Sequence, residues 1–199
     1  MILTTHILLQ QLKDYANPYG KIGRLVKEGK LIPLTKGLYE DNKNISGFYI
    51  AGAIYGPSYI SFNSALSYHG LIPEAVYEFT SATCEKKKKK LYKNFFGRFS
   101  YRDIPVDAYP YGIEIIEENG YTFRVATKEK ALCDKLYELP PVTSLKELEY
   151  LLFIDMRIDE DEFDKLNRSF IYFIAPKYHS NTLKHLTNYL RRKYNEWNT

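Results

Sequence analysis

Apolar and polar positions alternate along this chain with changing periods, and the period predicts the element. Ile7, Leu8, Leu12 and Tyr15 recur at helical spacing, which predicts a first helix over about 4–15 with these four as its buried face. Thr4 or Thr5 can cap it. A second helix is predicted from Asn17 to Gly29. Asn17 is a good N-cap, Pro18 suits the first helical position, and Gly29 marks the end. On this helix Ile22, Leu25 and Val26 fall on one side, and Lys21, Arg24 and Lys27 on the other. Two short apolar runs follow, 31–34 and 38–39, joined across Lys36-Gly37 as a tight hairpin in which Gly37 supplies a positive φ. Pro33 places the first of these strands at a sheet edge.

The polar stretch 40–46 is the best boundary in the chain. Beyond it, 47–56 (GFYIAGAIYG) reads as a buried helix. Tyr59-Ile60 reads as a short strand, and a helix capped by Ser61 runs to His69 and stops at Gly70. His69 reads as a packed, hydrogen-bonded histidine. Strands are predicted over 76–84, 95–101 with Gly97 as a bulge, 109–116 and 121–126, the last two joined by the turn signal Asn119-Gly120. Thr127 caps a helix over 128–139 that Pro140-Pro141 stop. Further helices are predicted over 144–155, 159–168 and 181–195.

Composition adds direction. The chain has 199 residues, 45% of them hydrophobic, with 19 tyrosines and a net charge of +4. That length buries about 70% of the unfolded surface without a staple. Aromatic richness favours a substantial sheet. Two cysteines, Cys84 and Cys133, suit a reducing cytosol. No apolar run reads as a signal peptide or a membrane span, so the protein is expected to be cytoplasmic. The charge is segregated. Residues 1–102 carry 15 Lys or Arg against 7 Asp or Glu, 103–176 carry 8 against 16, and 177–199 carry 5 against 1. A basic front half argues for a polyanionic partner.

A helix with one apolar and one basic face, backed by a small hairpin, has the shape of a winged helix-turn-helix over 1–45. Only two helices fit before the hairpin. The rest, 46–199, is expected to be a mixed α/β domain with an antiparallel sheet and flanking helices, making the whole an α+β fold. The basic face either enters a major groove through Lys21, Arg24 and Lys27 with Lys36 on the backbone, or is simply a solvated helix surface. The run Lys86, Lys87, Lys88, Lys89 and Lys90 is either an exposed loop or a phosphate contact, with Lys93, Arg98 and Arg102 extending the patch.

No catalytic constellation is visible. There is no phosphate-cradling glycine loop, the four histidines lack metal spacing, and the acidic run Asp159, Glu160, Asp161, Glu162 and Asp164 reads as a dipole-stabilised helix start. No enzyme activity, cofactor or metal is expected; a nuclease using that acidic run is the minor alternative.

Three stretches together resemble the AbiEi family of antitoxins: the helix and hairpin ending in GKLIPLTKGLYE, then YISFNSALSYHGLIPE, then RVATKEKALCDKLY. GRFSYRDIP sits between the last two in the expected place. Thr127-Lys128 stands where the family often shows a proline before Glu129. The resemblance covers roughly 1–140. It implies a winged-helix repressor that binds an inverted-repeat operator of its own operon. It also implies a second domain that counters a nucleotidyltransferase-like toxin without a stable complex. The alternative is an antitoxin that binds a basic toxin directly through its acidic 103–176 region.

Overall fold

The computed structural model describes residues 1–73 and 77–195. The first 40 residues run β1 (Ile2–Thr4), α1 (Thr5–Gln11), α2 (Pro18–Lys27), β2 (Ile32–Thr35) and β3 (Leu38–Glu40). The three strands form an antiparallel sheet in the order β1-β3-β2, so β2 with its exposed Pro33 is an edge, as predicted. Strand β1 is not among the predicted elements. Its short Ile-Leu-Thr reads as the approach to a helix until β3 is present to pair with it.

The capping of α2 follows its sequence. The Asn17 side chain accepts from Gly20 N–H at 2.8 Å. At the other end Gly29 has φ +69, and Lys30 N–H reaches Leu25 C=O while Gly29 N–H reaches Val26 C=O. That is the double-bonded left-handed stop. Gly37 has φ +78 in the hairpin turn. The first helix is shorter than its periodicity suggests. It ends at Gln11, and of its expected apolar face only Leu8 is fully buried, while Ile7 and Tyr15 are exposed. Leu3, Leu8, Ile22 and Leu31 close a small apolar cluster of their own.

The remainder is built on a six-stranded sheet: β4 (Tyr59–Ile60), β5 (Glu78–Thr83), β6 (Lys90–Asn94), β7 (Gly97–Asp103), β8 (Ile113–Glu118) and β9 (Tyr121–Ala126), in the order β6-β7-β5-β4-β9-β8. The sheet is mixed rather than antiparallel as expected, because β5 pairs with β7 and β4 with β9 in parallel. The connection from β5 to β6 must therefore cross the end of β7. That connection carries the lysines, and Lys87 N–H is tied there to Asp103 Oδ2 at 2.6 Å. Strand β6 replaces the expected strand start at residue 95. Phe95-Phe96 form the turn of the β6–β7 hairpin, and Gly97 pairs with Asn94 rather than bulging. The predicted strand over 109–116 is displaced to Ile113–Glu118, whereas the one over 121–126 stands as predicted. Val76, the expected first residue of β5, lies outside the described residues.

Side-chain alternation gives this sheet two faces. One carries Tyr92, Tyr101, Phe79 and Phe123 against α3 (Gly47–Ile54), with Tyr101 O–H donating to Ala51 C=O at 2.7 Å. The other carries Tyr59 and Thr80 against α4 (Phe62–Tyr68) and α5 (Lys128–Glu138). Outside these lie α6 (Leu145–Tyr150), continued by a π-helical turn over Leu151–Asp155, then α7 (Glu160–Asp164), α8 (Arg168–Ile174) and α9 (Asn181–Lys193). The helix predicted over 159–168 is split into α7 and the start of α8. Asn167 caps α8 through Phe170 N–H, a signal hidden inside the expected helix.

The small sheet sits on the α3 side of the large one. Leu34 joins the large core, and Asn94 of β6 donates to Leu34 C=O at 3.1 Å. Buried Glu40 receives Tyr121 O–H at 2.9 Å and the Met1 amino group. The polar stretch read as a boundary thus starts with a residue that ties the two parts together. No helix among the described residues is long and apolar enough to cross a membrane.

Candidate nucleic-acid interface

Helix α2 forms part of the outer layer of the small sheet. Ile22 is buried and Leu25 and Val26 are half-buried, which turns Arg24 and Lys27 into solvent. Lys21 is half-buried, with its ammonium 5.3 Å from the centre of the Tyr15 ring. Tyr15 is therefore not a core residue but a partner of the basic face. Glu28 pairs with Lys30 at 2.9 Å, beyond the last turn of α2. Lys36 is exposed in the hairpin turn, and its neighbour Gly37 accepts Thr5 N–H at 2.9 Å, which fixes the turn against α1.

The lysine run is placed elsewhere. It occupies the Lys90 end of β6, whereas the small sheet touches the Asn94 end, about 13 Å away along an extended strand. Within the run the lysines are not equivalent. Lys86 is half-buried, donates to Gly56 C=O at 3.1 Å and lies 5.4 Å from the Tyr55 ring centre. Lys87, Lys88, Lys89 and Lys90 are exposed.

Lys93 and Arg98 face each other across the β6–β7 ladder and are exposed. Alternation puts them on the α4/α5 side of the sheet, opposite the side on which the small sheet rests. Arg98 also leans toward Glu78, 3.9 Å away. Arg102 does not extend the patch. It is half-buried in an ion pair with Glu138 and lies 5.6 Å from the Phe62 ring centre. The predicted residues therefore form two groups: Lys21, Arg24, Lys27 and Lys36 on the small module, and the remaining cations on the large sheet along β6, β7 and the loop before them, with Lys93 and Arg98 on the face opposite the small module.

Three members of the acidic run, Asp159, Glu162 and Asp164, are engaged within the chain. Asp159 caps α7 through Glu162 N–H at 2.9 Å. Glu162 accepts from Lys128 at 2.5 Å and Lys165 at 2.7 Å, and these two bonds pull its carboxyl down to about 2. Asp164 accepts from Lys193 and from Tyr194 O–H at 2.6 Å. Among the described residues no group of three or more His, Cys, Asp or Glu is placed to hold a metal ion.

Sequence reasoning missed a polar cluster in the core. Lys130 and Asp134 are one helical turn apart on α5 and both fully buried, with Nζ to Oδ1 at 2.8 Å. Asp134 also accepts from Tyr59 O–H at 3.0 Å, from Ser61 O–H at 2.6 Å and from Tyr178 O–H. Burial lowers the Lys130 pKa, against the pull of Asp134, and burial beside Asp134 raises both tyrosines well above their ordinary value. Ser61 therefore spends its hydroxyl on Asp134 and not on capping α4 as expected. A Lys and an Asp at i, i+4 read from sequence as a solvated surface pair, and nothing local marks them as buried. His69 is held as read, its Nε2 2.7 Å from Ala126 C=O.

A cleft of about 1020 Å³ opens between α4, the end of α5 and the π-helical turn. Its cations Arg102 and Lys135 are both paired with Glu138. Neither a protein-family model nor a curated protein matches the chain.

Proposed function

We propose that this protein is a DNA-binding antitoxin of the AbiEi kind, a repressor of its own operon that counters a nucleotidyltransferase-like toxin. The first 40 residues are read as an abbreviated winged helix-turn-helix, with α2 as the recognition helix and the β2–β3 turn as the wing. The observation that carries this reading is the exposure of Arg24 and Lys27 on a helix whose opposite side is anchored by Ile22. In that pose Arg24 reaches a guanine edge, Lys27 and Lys21 flank it on phosphates, and Lys36 holds the backbone beside the groove. Two copies sit on an inverted repeat, since operator symmetry mirrors a pair of modules. The cations outside the small module, Lys88, Lys89, Lys90, Lys93 and Arg98, add only sequence-independent attraction. The test is a gel shift on the DNA upstream of its own gene. Wild-type protein shifts it, and Arg24→Ala with Lys27→Ala abolishes the shift while leaving the fold intact by circular dichroism.

Direct binding of a basic toxin through residues 103–176 is the weaker reading. Four acids of that region, Asp134, Glu138, Glu162 and Asp164, are already paired with cations of this chain. Co-elution of the two proteins at physiological salt would favour it.

A further inference from the structure

The six-stranded sheet ends in two open edges, β6 and β8. An open edge presents unpaired N–H and C=O groups, and natural edges are usually guarded by charge. Here the two guards have opposite sign. Strand β6 (KLYKN) is preceded by the exposed Lys87, Lys88 and Lys89, whereas β8 (IEIIEE) carries exposed Glu114, Glu117 and Glu118. Each edge also holds one strongly exposed apolar side chain near its middle, Leu91 at 58% and Ile115 at 67%.

The directions fit as well. Strand β5 runs parallel to β7 and antiparallel to β4, β4 runs parallel to β9, and β6 and β8 each oppose their neighbours. Hence β6 and β8 point in opposite senses. When the sheet of one molecule continues into the next, its β8 meets the next β6 as an antiparallel pair. Leu91 and Ile115 lie on the same sheet face, the one shared with Ser100 and Arg124. Setting Ile115 opposite Leu91 of the next copy brings Glu117 opposite its Lys89 and Glu118 opposite its Lys88. This register runs from Lys93 back past Lys90 and spares Asn94, which is tied to Leu34.

We propose that these edges join copies of this chain head to tail, β8 of one against β6 of the next. Like-edge pairing is disfavoured, because β8 on β8 sets glutamates against glutamates and β6 on β6 sets lysines against lysines. A head-to-tail contact does not close at two copies, so growth continues beyond a dimer into a ring or an open array. The joined copies face one way and are not the dyad-related pair of an inverted repeat, so this contact goes beyond the DNA-binding reading and does not depend on it.

The test is the mass in solution by light scattering, without DNA. Wild-type protein should grow past a dimer as concentration rises, and its association should weaken about tenfold in high salt as the Lys–Glu pairs are screened. Leu91→Asp and Ile115→Asp should each be monomeric, with unchanged circular dichroism. Mixed together they should form a dimer and stop there, since only one intact β8 and one intact β6 remain. A wild type that stays monomeric throughout the concentration series overturns the proposal. So does a mixture of the two variants that remains monomeric, or single variants that associate like wild type. Both variants leave α2 untouched and should shift DNA like a monomer of the wild type, so failure here is separable from failure of the DNA reading.

Discussion

At the scale of single residues, the buried Lys130–Asp134 pair makes the sharpest demand. Asp134 gathers an ammonium and three hydroxyls, whereas Lys130 has Asp134 and the Tyr178 oxygen. Removing the carboxylate therefore strands more polar groups than removing the amine. Asp134→Leu should cost about 3–5 kcal/mol in urea unfolding, Lys130→Met less, and the double variant less than the sum of the two. Strict additivity would mean that the pair is not coupled. Glu162 gives a pH signature. Its carboxyl is held down to about 2 by Lys128 and Lys165, below the ordinary value of 4.5. A depressed carboxyl adds stability above its unfolded pKa and loses it as pH falls through the folded one. Wild-type protein should thus lose more stability between about pH 4.5 and pH 2 than Glu162→Gln does, by chemical denaturation at each pH.

At the scale of elements, local signals are legible in the sequence and non-local ones are not. Asn17, Gly29, Gly37, Asn119-Gly120 and Thr127 each act on their own few residues, and each does in the structure what its residue type implies. Asn17→Ala should cost α2 about 1 kcal/mol, read from the thermal midpoint, because Gly20 N–H loses its acceptor. The elements missing from the sequence pattern depend on partners far along the chain. Strand β1 exists because β3 returns to it, β6 because β7 hairpins back onto it, and the lysine loop because a parallel β5–β7 pair needs a crossing. The basic face of α2 is visible in the spacing of Lys21, Arg24 and Lys27. The separation of these residues from Lys93 and Arg98 is not, since it depends on which side of the large sheet the small one rests.

At the scale of the molecule, the small module is fixed to the large one through buried contacts. Tyr121 O–H and the backbone N–H groups of Asp41 and Asn42 converge on Glu40 Oε1, and Tyr49 stacks on Tyr121 with ring centres 5.0 Å apart. Tyr121→Phe should cost about 1.5–3 kcal/mol, the range for a hydrogen bond to a charged group. The loss should be shared by the slowest-exchanging amides of α2 and α5, because both would open in one global transition. Amides of α2 that open alone, leaving α5 protected, would show that the modules are independent.

The burial of Ile22 within the small module turns the basic side of α2 outward, and the proposed repressor needs that side to meet duplex phosphates. The most direct measurement is the salt dependence of binding to the DNA upstream of the protein's own gene, for wild type and for Arg24→Ala with Lys27→Ala. The variant should bind at least about tenfold more weakly, with a log–log salt slope shallower by about 0.9 for each phosphate it no longer neutralises. Equal affinity and equal slope in the two proteins would mean that α2 does not meet the duplex.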